Sequence, residues 1–136
     1  MRQPVSGYLQ GVIWMVSVRH GNPVDYRLCN QTVTVYHKDG ETYRRTVYDR
    51  AFLDFKKTQN VEKTGSRESS SFLLVIPCDF QAVFPGDKVF LGKGPEISTR
   101  EEWSAFIPAK VPGLVVVSYV DLKYWNGKIC HEEAGG

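Results

Sequence analysis

The sequence predicts an all-β fold, a small β-barrel or closed sandwich with one long polar loop and one short helix. Short alternating or continuous apolar runs recur along the chain, and tight-turn signals separate them. Two of these signals, Asp39-Gly40 and Asn126-Gly127, are typical of two-residue hairpin turns. Residues 98–106 alone have a helical pattern, with capping residues and glutamates at the start and prolines after the end.

The predicted strands lie between these turns, and their apolar positions define the expected core. The strands comprise residues 12–18, 32–36, 42–48, 51–55, 72–76, 88–91, 114–119 and 128–131. Residues 132–136 are expected to fray as a chain end. We expect the core to contain Val33, Val35, Leu53, Phe55, Phe72, Leu74, Ile76, Val89, Leu91, Val115 and Val117.

The 136 residues have the size of one domain. We expect residues 30–136 to form a single β-barrel domain and residues 1–29 to be an N-terminal extension or an extra strand. The apolar stretch 11–18 is too short to span a bilayer, and no cleavage site follows it. We therefore interpret this stretch as a strand and expect no membrane association.

One segment, residues 56–71, has the composition of a long polar loop. It contains a single aliphatic residue and no aromatic residue, so it has little apolar surface to bury. Long loops within compact domains are often functional. Its positive residues Lys56, Lys57, Lys63 and Arg67 are the candidate assembly or channel site, where they would contact DNA phosphates without reading sequence. The alternative is a solvated connection.

The sequence contains no recognisable catalytic motif. Its histidines, His20, His37 and His131, are far apart, and no nucleophile motif accompanies them. Cys130 precedes His131 directly, but neighbours on a strand face opposite sides, so we expect no dyad from them. We predict that the protein is not an enzyme and that it has no catalytic residues and no cofactor.

The number of cysteines and the net charge argue against disulfides, a metal site and nucleic-acid binding. Cys29, Cys78 and Cys130 are odd in number and widely spaced, which favours free thiols over a disulfide framework or a metal site. The formal net charge of +2 is too small to indicate nucleic-acid binding by itself.

The order of elements resembles a known family. A strand pair (residues 32–57) is followed by the polar loop, the apolar strand FLLVIP, the unit PGDKVFLGKG and a last strand ending in GKICHEEAGG. This order resembles small neck or head–tail connector proteins of tailed phages and prophages of Gram-positive bacteria, in the head-closure or stopper-like group. The most specific piece is Gly86-Asp87-Lys88-Val89. The resemblance covers residues 31–136.

The resemblance implies a β-barrel subunit of a homo-oligomeric ring in the neck of a virion, made in the bacterial cytoplasm. The ring would bind the portal or adaptor on one side and tail proteins on the other, join head to tail and help to retain DNA. The polar loop would dock a neighbour or obstruct the channel, with non-specific contact to packaged DNA. The family supplies no catalytic, cofactor-binding or metal-binding residues.

Three alternatives remain open at this point. The first is another neck component, such as a tail terminator. The second is a monomeric β-barrel binding module (OB-like, for nucleic acid), and the third is an unrecognised enzyme. A basic stripe with exposed aromatic residues on one face of the barrel would favour the binding module. A cleft that gathers Cys, His and a carboxylate would favour an enzyme.

Overall fold

A computed structural model describes residues 24–62 and 65–136. For residues 57–62 and 65–70 it describes the main chain alone. The predicted strand 12–18 and most of the predicted extension lie outside the described residues. The described residues form seven strands and one short helix, which confirms the all-β prediction. These are β1 (Gln31–Asp39), β2 (Thr42–Glu62), β3 (Gly65–Pro77), β4 (Lys88–Leu91), α1 (Arg100–Ala105), β5 (Leu114–Val116), β6 (Tyr119–Trp125) and β7 (Lys128–Gly135).

The strands form a single antiparallel sheet in the order β5-β4-β1-β2-β3-β7-β6, which curls into a half-barrel. Its two edge strands, β5 and β6, are joined by only Val117 and Ser118. The amide of Val117 donates to the carbonyl of Asp87, and the amide of Ser118 donates to the carbonyl of Gly135. This short connection therefore holds the two edges of the sheet near one another.

The inner face of the half-barrel is the main core, and alternation predicted most of it. All predicted core residues are buried except Phe55 and Leu91, which are 47% and 36% exposed. The expectation was wrong for these two because the sheet ends beside them. Phe55 lies beyond Ala51, the last β2 residue that β1 covers, and Leu91 is the last residue of β4.

The outer face of β1 is also buried, against α1 and the turns around it. Tyr36, Ile97, Phe106 and Leu114 form a second apolar cluster there. The Tyr36 hydroxyl is satisfied because it donates to the carbonyl of Pro95 across 2.7 Å. β1 is thus covered on both faces, which makes it the centre of the fold.

The helix α1 is fixed at both ends by side chains. Thr99 is the N-cap, and its hydroxyl and the Glu102 carboxylate form a reciprocal capping box. At the other end, Lys88 Nζ donates to the carbonyl oxygens of Trp103 and Phe106, each across 2.6 Å. A six-residue helix has little stability of its own, so these contacts place it on the sheet.

The expectation that residues 132–136 fray was wrong. β7 runs to Gly135 and pairs with both β3 and β6, so its main chain is bonded on both edges. Glu132 and Ala134 are each only 1% exposed. The polar and small residues of this tail carry no strand pattern, and its order comes from its two neighbours.

Candidate functional site

Residues 56–71, expected to be a structureless loop, continue the β2–β3 hairpin instead. The register runs without a break from Lys56 opposite Ser71 to Glu62 opposite Gly65. The expectation was wrong because composition reports apolar burial, whereas strand pairing satisfies main-chain groups without requiring apolar side chains. We call the paired residues 56–62 and 65–71 the arm.

The arm extends beyond the rest of the sheet. β1 covers β2 only as far as Ala51, and β7 covers β3 only from Leu73 onwards. Within the described residues, the two strands of the arm pair only with each other. Their outer edges therefore carry main-chain groups without a sheet partner, and exposed edges of this kind are templates for pairing with another chain.

The arm carries three of the four predicted site residues. Lys56 and Lys57 lie in β2, opposite Ser71 and Ser70, and Lys56 has an exposed side chain. Arg67 lies in β3, near the arm's far end. Lys63 lies outside the described residues. These positions are spread along the ribbon, so they do not form one compact site.

A second candidate site is a cavity of about 350 Å³ on the inner face of the β1–β2 hairpin, which we call the polar pocket. The pairs Val35 with Thr46 and His37 with Arg44 place these four residues on one face. The segment that follows β3 forms the opposite wall. The lining residues are Val35, His37, Arg44, Thr46, Tyr48, Phe80, Gln81 and Ala82.

His37 is held in the polar pocket by a buried carboxylate. Its Nδ1 lies 2.6 Å from Oδ1 of Asp87, whose side chain is 3% exposed. The other oxygen of Asp87 accepts the amide of Phe84 across 2.9 Å. An ionised carboxylate only accepts hydrogen bonds, so His37 Nδ1 carries the proton in this contact. The ring is thereby oriented, and its Nε2 has no hydrogen-bond partner among the described residues.

A second carboxyl group lies behind the wall of the polar pocket. Oε1 of Glu132 accepts the amides of Ala82 and Val83 across 2.7 and 3.0 Å, whereas Oε2 has no partner in the described part of the chain. Burial raises the pKa of Glu132 above its ordinary value, which favours the neutral acid. Burial likewise raises the pKa of the Tyr48 hydroxyl, with a smaller contribution from Cys78.

The expectation that Cys130 and His131 face opposite sides of the strand was wrong. Cys130 Sγ lies 3.6 Å from His131 Nδ1. Ile129 and His131 face consecutive residues of β6, so Cys130 is an extra residue in the strand, and such a bulge redirects side chains. The same Nδ1 lies 2.7 Å from the Tyr26 hydroxyl, and His131 Nε2 lies 3.0 Å from Glu133. His131 is thus engaged on both ring nitrogens.

Sequence reasoning assigned no site to His37 and missed its partner. A usable signal was present, because His37 follows Val33 and Val35 at even spacing and therefore shares the core face of β1. Asp87 belongs to the Gly86-Asp87-Lys88-Val89 motif, which sequence reasoning used only for the family resemblance. Each residue of that motif makes a contact in the structure; the amide of Gly86, for example, donates to the carbonyl of Val117. Gly86 also has a φ of 92°, a backbone conformation that favours glycine.

The remaining expectations concern thiols, metals and membranes. Cys29, Cys78 and Cys130 are free thiols in the structure. Among residues 24–62 and 65–136, no three His, Cys, Asp or Glu side chains gather in a way that could hold a metal ion. No helix in that part of the chain is long and apolar enough to cross a membrane.

Comparisons with known proteins give one family. No curated protein and no solved structure matches the chain. The model of a family described as a family of unknown function (DUF6751) matches residues 28–102, which is more than half of the chain. The match includes β1 to β4, the arm and every residue that lines the polar pocket. The chain therefore belongs to the DUF6751 family.

Proposed function

We propose that the protein is a structural subunit of a phage head–tail connector ring, of the head-closure or stopper-like kind, which joins head to tail and helps to retain DNA. The observation that carries this proposal is the arm. Seven register pairs, from Lys56 with Ser71 to Glu62 with Gly65, extend beyond the strands that cover the body of the sheet. At the usual rise per strand residue, the arm reaches about 20 Å.

A ribbon of this length supports assembly for an energetic reason. An isolated two-stranded hairpin is marginally stable in water, because it has no third strand and no packed face. A neighbouring subunit would supply the missing contacts. When one surface binds a different surface of the next copy, the contacts are head-to-tail, and rings form if the rotation closes.

The charges on the arm fit a place near DNA. On its described residues, Lys56, Lys57 and Arg67 outnumber Glu62 and Glu68, which leaves a net charge of +1 that a ring repeats once for every subunit. Repeated positive groups attract phosphates without reading sequence, as expected for a protein that contacts packaged DNA as it passes. Portal, adaptor and tail proteins are the partners that this position in the virion neck implies.

The charges of β6 do not support the alternative of a nucleic-acid binding module. Tyr119, Tyr124 and Trp125 are exposed on the edge strand β6, as stacking residues would be. However, the ammonium of Lys123 lies 2.7 Å from the carboxylate of Asp121 on the same strand. The aromatic residues are therefore not accompanied by a basic stripe along β6.

The polar pocket is the feature that favours an enzyme, because it combines His37 with carboxyl groups. The nearby thiol does not complete a nucleophilic site. Cys78 donates to the carbonyl oxygens of Ile76 and Phe80, and burial raises its pKa, so its reactive thiolate is depleted at neutral pH. We therefore keep the structural role as the proposal.

The arm-shortened variant tests the proposal. Residues 58–69 are replaced by Asn-Gly, which joins Lys57 to the opposite residue, Ser70, through a hairpin turn. The isolated variant should unfold within about 4 °C of the wild type, because the arm pairs only with itself in the described part of the chain. In a phage that carries this gene, the variant should give heads that leak DNA and do not join to tails.

The matched control exchanges Thr58 and Ser69, which face each other, and so keeps the arm at full length. Particles with this control should assemble normally. Normal particles from the arm-shortened variant would contradict the proposal. Closed, DNA-filled heads together with tails of abnormal length would instead identify a tail terminator.

A further inference from the structure

The polar pocket presents a guanidinium beside an oriented imidazole. Arg44 is exposed, lies opposite His37 in the β1–β2 register and has no ion-pair partner among the described residues. A guanidinium offers parallel N–H donors that match the two oxygens of a carboxylate. His37 is fixed through Nδ1, so Nε2 is the nitrogen available to a ligand.

The acidic groups near the pocket are engaged with groups other than Arg44. Both oxygens of Asp87 are engaged, one by His37 and the other by the amide of Phe84, and the side chain is almost fully buried. Glu132 lies behind the wall, one of its oxygens accepts two amides, and burial favours its neutral form. Neither acid pairs with Arg44, so its guanidinium is left available to an anion.

The size and lining of the pocket limit the ligand. A cavity of about 350 Å³ lies at the small end of ligand pockets. Val35 and Phe80 supply apolar surface, and Thr46 and Tyr48 supply hydroxyl groups on the same lining. We propose that the polar pocket binds a carboxylate that bears a short apolar chain, with the carboxylate on Arg44 and the chain against Phe80.

This proposal does not rest on the proposed ring. The same chemistry has two sources, a free small carboxylic acid or the side chain of a glutamate in a peptide, and the experiment below separates them. Both place two carboxylate oxygens at the end of a short methylene chain.

The test is a titration of the full chain with butyrate, followed by NMR at the amides of Thr46 and Ala82 and at the His37 ring. Saturable shifts with a millimolar Kd are expected, given the few atoms of the ligand. Butyramide, which has the same size but no charge, should bind at least about tenfold more weakly. A peptide with one central glutamate that binds more tightly than butyrate identifies a peptide source, and weaker binding identifies a free acid.

Substitutions assign the shifts to the pocket. Arg44→Gln should weaken butyrate binding at least about tenfold, since it removes a charged hydrogen-bond donor. Arg50→Gln is the matched control, because Arg50 is exposed on the same strand and does not line the pocket. Phe80→Ala should reduce the preference for butyrate over acetate, because Phe80 is an exposed wall of the pocket.

Two results would overturn the proposal. One is the absence of saturable shifts up to about 100 mM butyrate, which corresponds to negligible affinity. The other is equal weakening by Arg44→Gln and Arg50→Gln, which would mean that the anion responds to net charge and not to this pocket.

Discussion

The ammonium of Lys88 lies 2.6 Å from the carbonyl oxygen of Phe106, and this contact joins β4 to the end of α1. The same ammonium donates to the carbonyl of Trp103 and lies 4.3 Å from the centre of its indole ring. Lys88 is only 7% exposed, so the charge is held by these groups in place of water. A lysine within a predicted strand thereby determines where the helix sits.

We predict that Lys88→Met destabilises the protein by about 1–3 kcal/mol, because two carbonyl oxygens lose their donor while the methylene packing is largely kept. Urea unfolding followed by circular dichroism measures this change. Lys110→Met is the control, since Lys110 is exposed in the turn after α1. The control should change stability by less than about 0.5 kcal/mol. Equal effects of the two substitutions would contradict the structural role of Lys88.

Glu132 predicts a dependence of stability on pH. Burial raises its pKa above the ordinary value of 4.5, so the folded state holds this proton more tightly than the unfolded chain. The stabilisation from the protonated acid is therefore fully present below pH 4.5 and is lost as pH rises through the higher folded pKa. Glu132 therefore contributes less to the stability of the fold at neutral pH than in acid.

Glu132→Gln should remove that loss, because an amide cannot ionise yet can still accept the amides of Ala82 and Val83. At pH 7 the variant should be more stable than the wild type by about 1 kcal/mol, and the difference should disappear in acid. Unfolding curves from pH 4 to 8 measure it. Glu41→Gln, at an exposed position, should show no such trend. A variant that is less stable at every pH would contradict the prediction.

The sequence predicted the faces of the strands but not the limits of the sheet. Alternation identified Val33, Val35 and Leu53 as core because period-two patterning is local. Phe55 and Leu91 continue the same patterns and are nevertheless exposed, since burial also depends on which other strands reach that position. Such coverage is a long-range property that no local pattern reports.

The polar pocket was missed for a related reason. His37 and Asp87 are 50 residues apart, and only the pairing of β1 with β4 brings them together. The contact of Cys130 with His131 depends on a bulge that has no Gly or Pro signal in the sequence. The Asn126-Gly127 turn was predicted correctly because its chemistry is contained in two residues. The first hairpin is also present, but Asp39 pairs with Thr42, so its turn is Gly40-Glu41, one residue beyond the predicted Asp39-Gly40.

Two core probes test where the sheet ends. Leu74→Ala should cost about 2–5 kcal/mol, because Leu74 is fully buried and the substitution leaves a cavity. Phe55→Ala removes a larger side chain but should cost less, about 1 kcal/mol, because nearly half of Phe55 already faces solvent. Denaturant titration compares the two variants. A larger loss for Phe55→Ala would mean that the base of the arm is packed within the core.

The three cysteines give the last prediction. Their odd number and spacing predict that Cys29, Cys78 and Cys130 are neither linked to one another nor bound to metal. Protein unfolded in guanidinium without reductant should therefore react with Ellman's reagent at three thiols per chain. Fewer thiols, or zinc at one ion per chain by mass spectrometry, would contradict this prediction.

In the folded protein, the rates of thiol modification should differ. Cys29 is 6% exposed, and burial raises its pKa, so both access and thiolate fraction are low. We expect Cys29 to react most slowly, at a rate limited by opening of the residues that cover it. Mass spectrometry of peptides after brief alkylation assigns each rate, and Cys29→Ala should remove only the slowest phase. A fast reaction at Cys29 would show that the segment before β1 separates readily from the sheet.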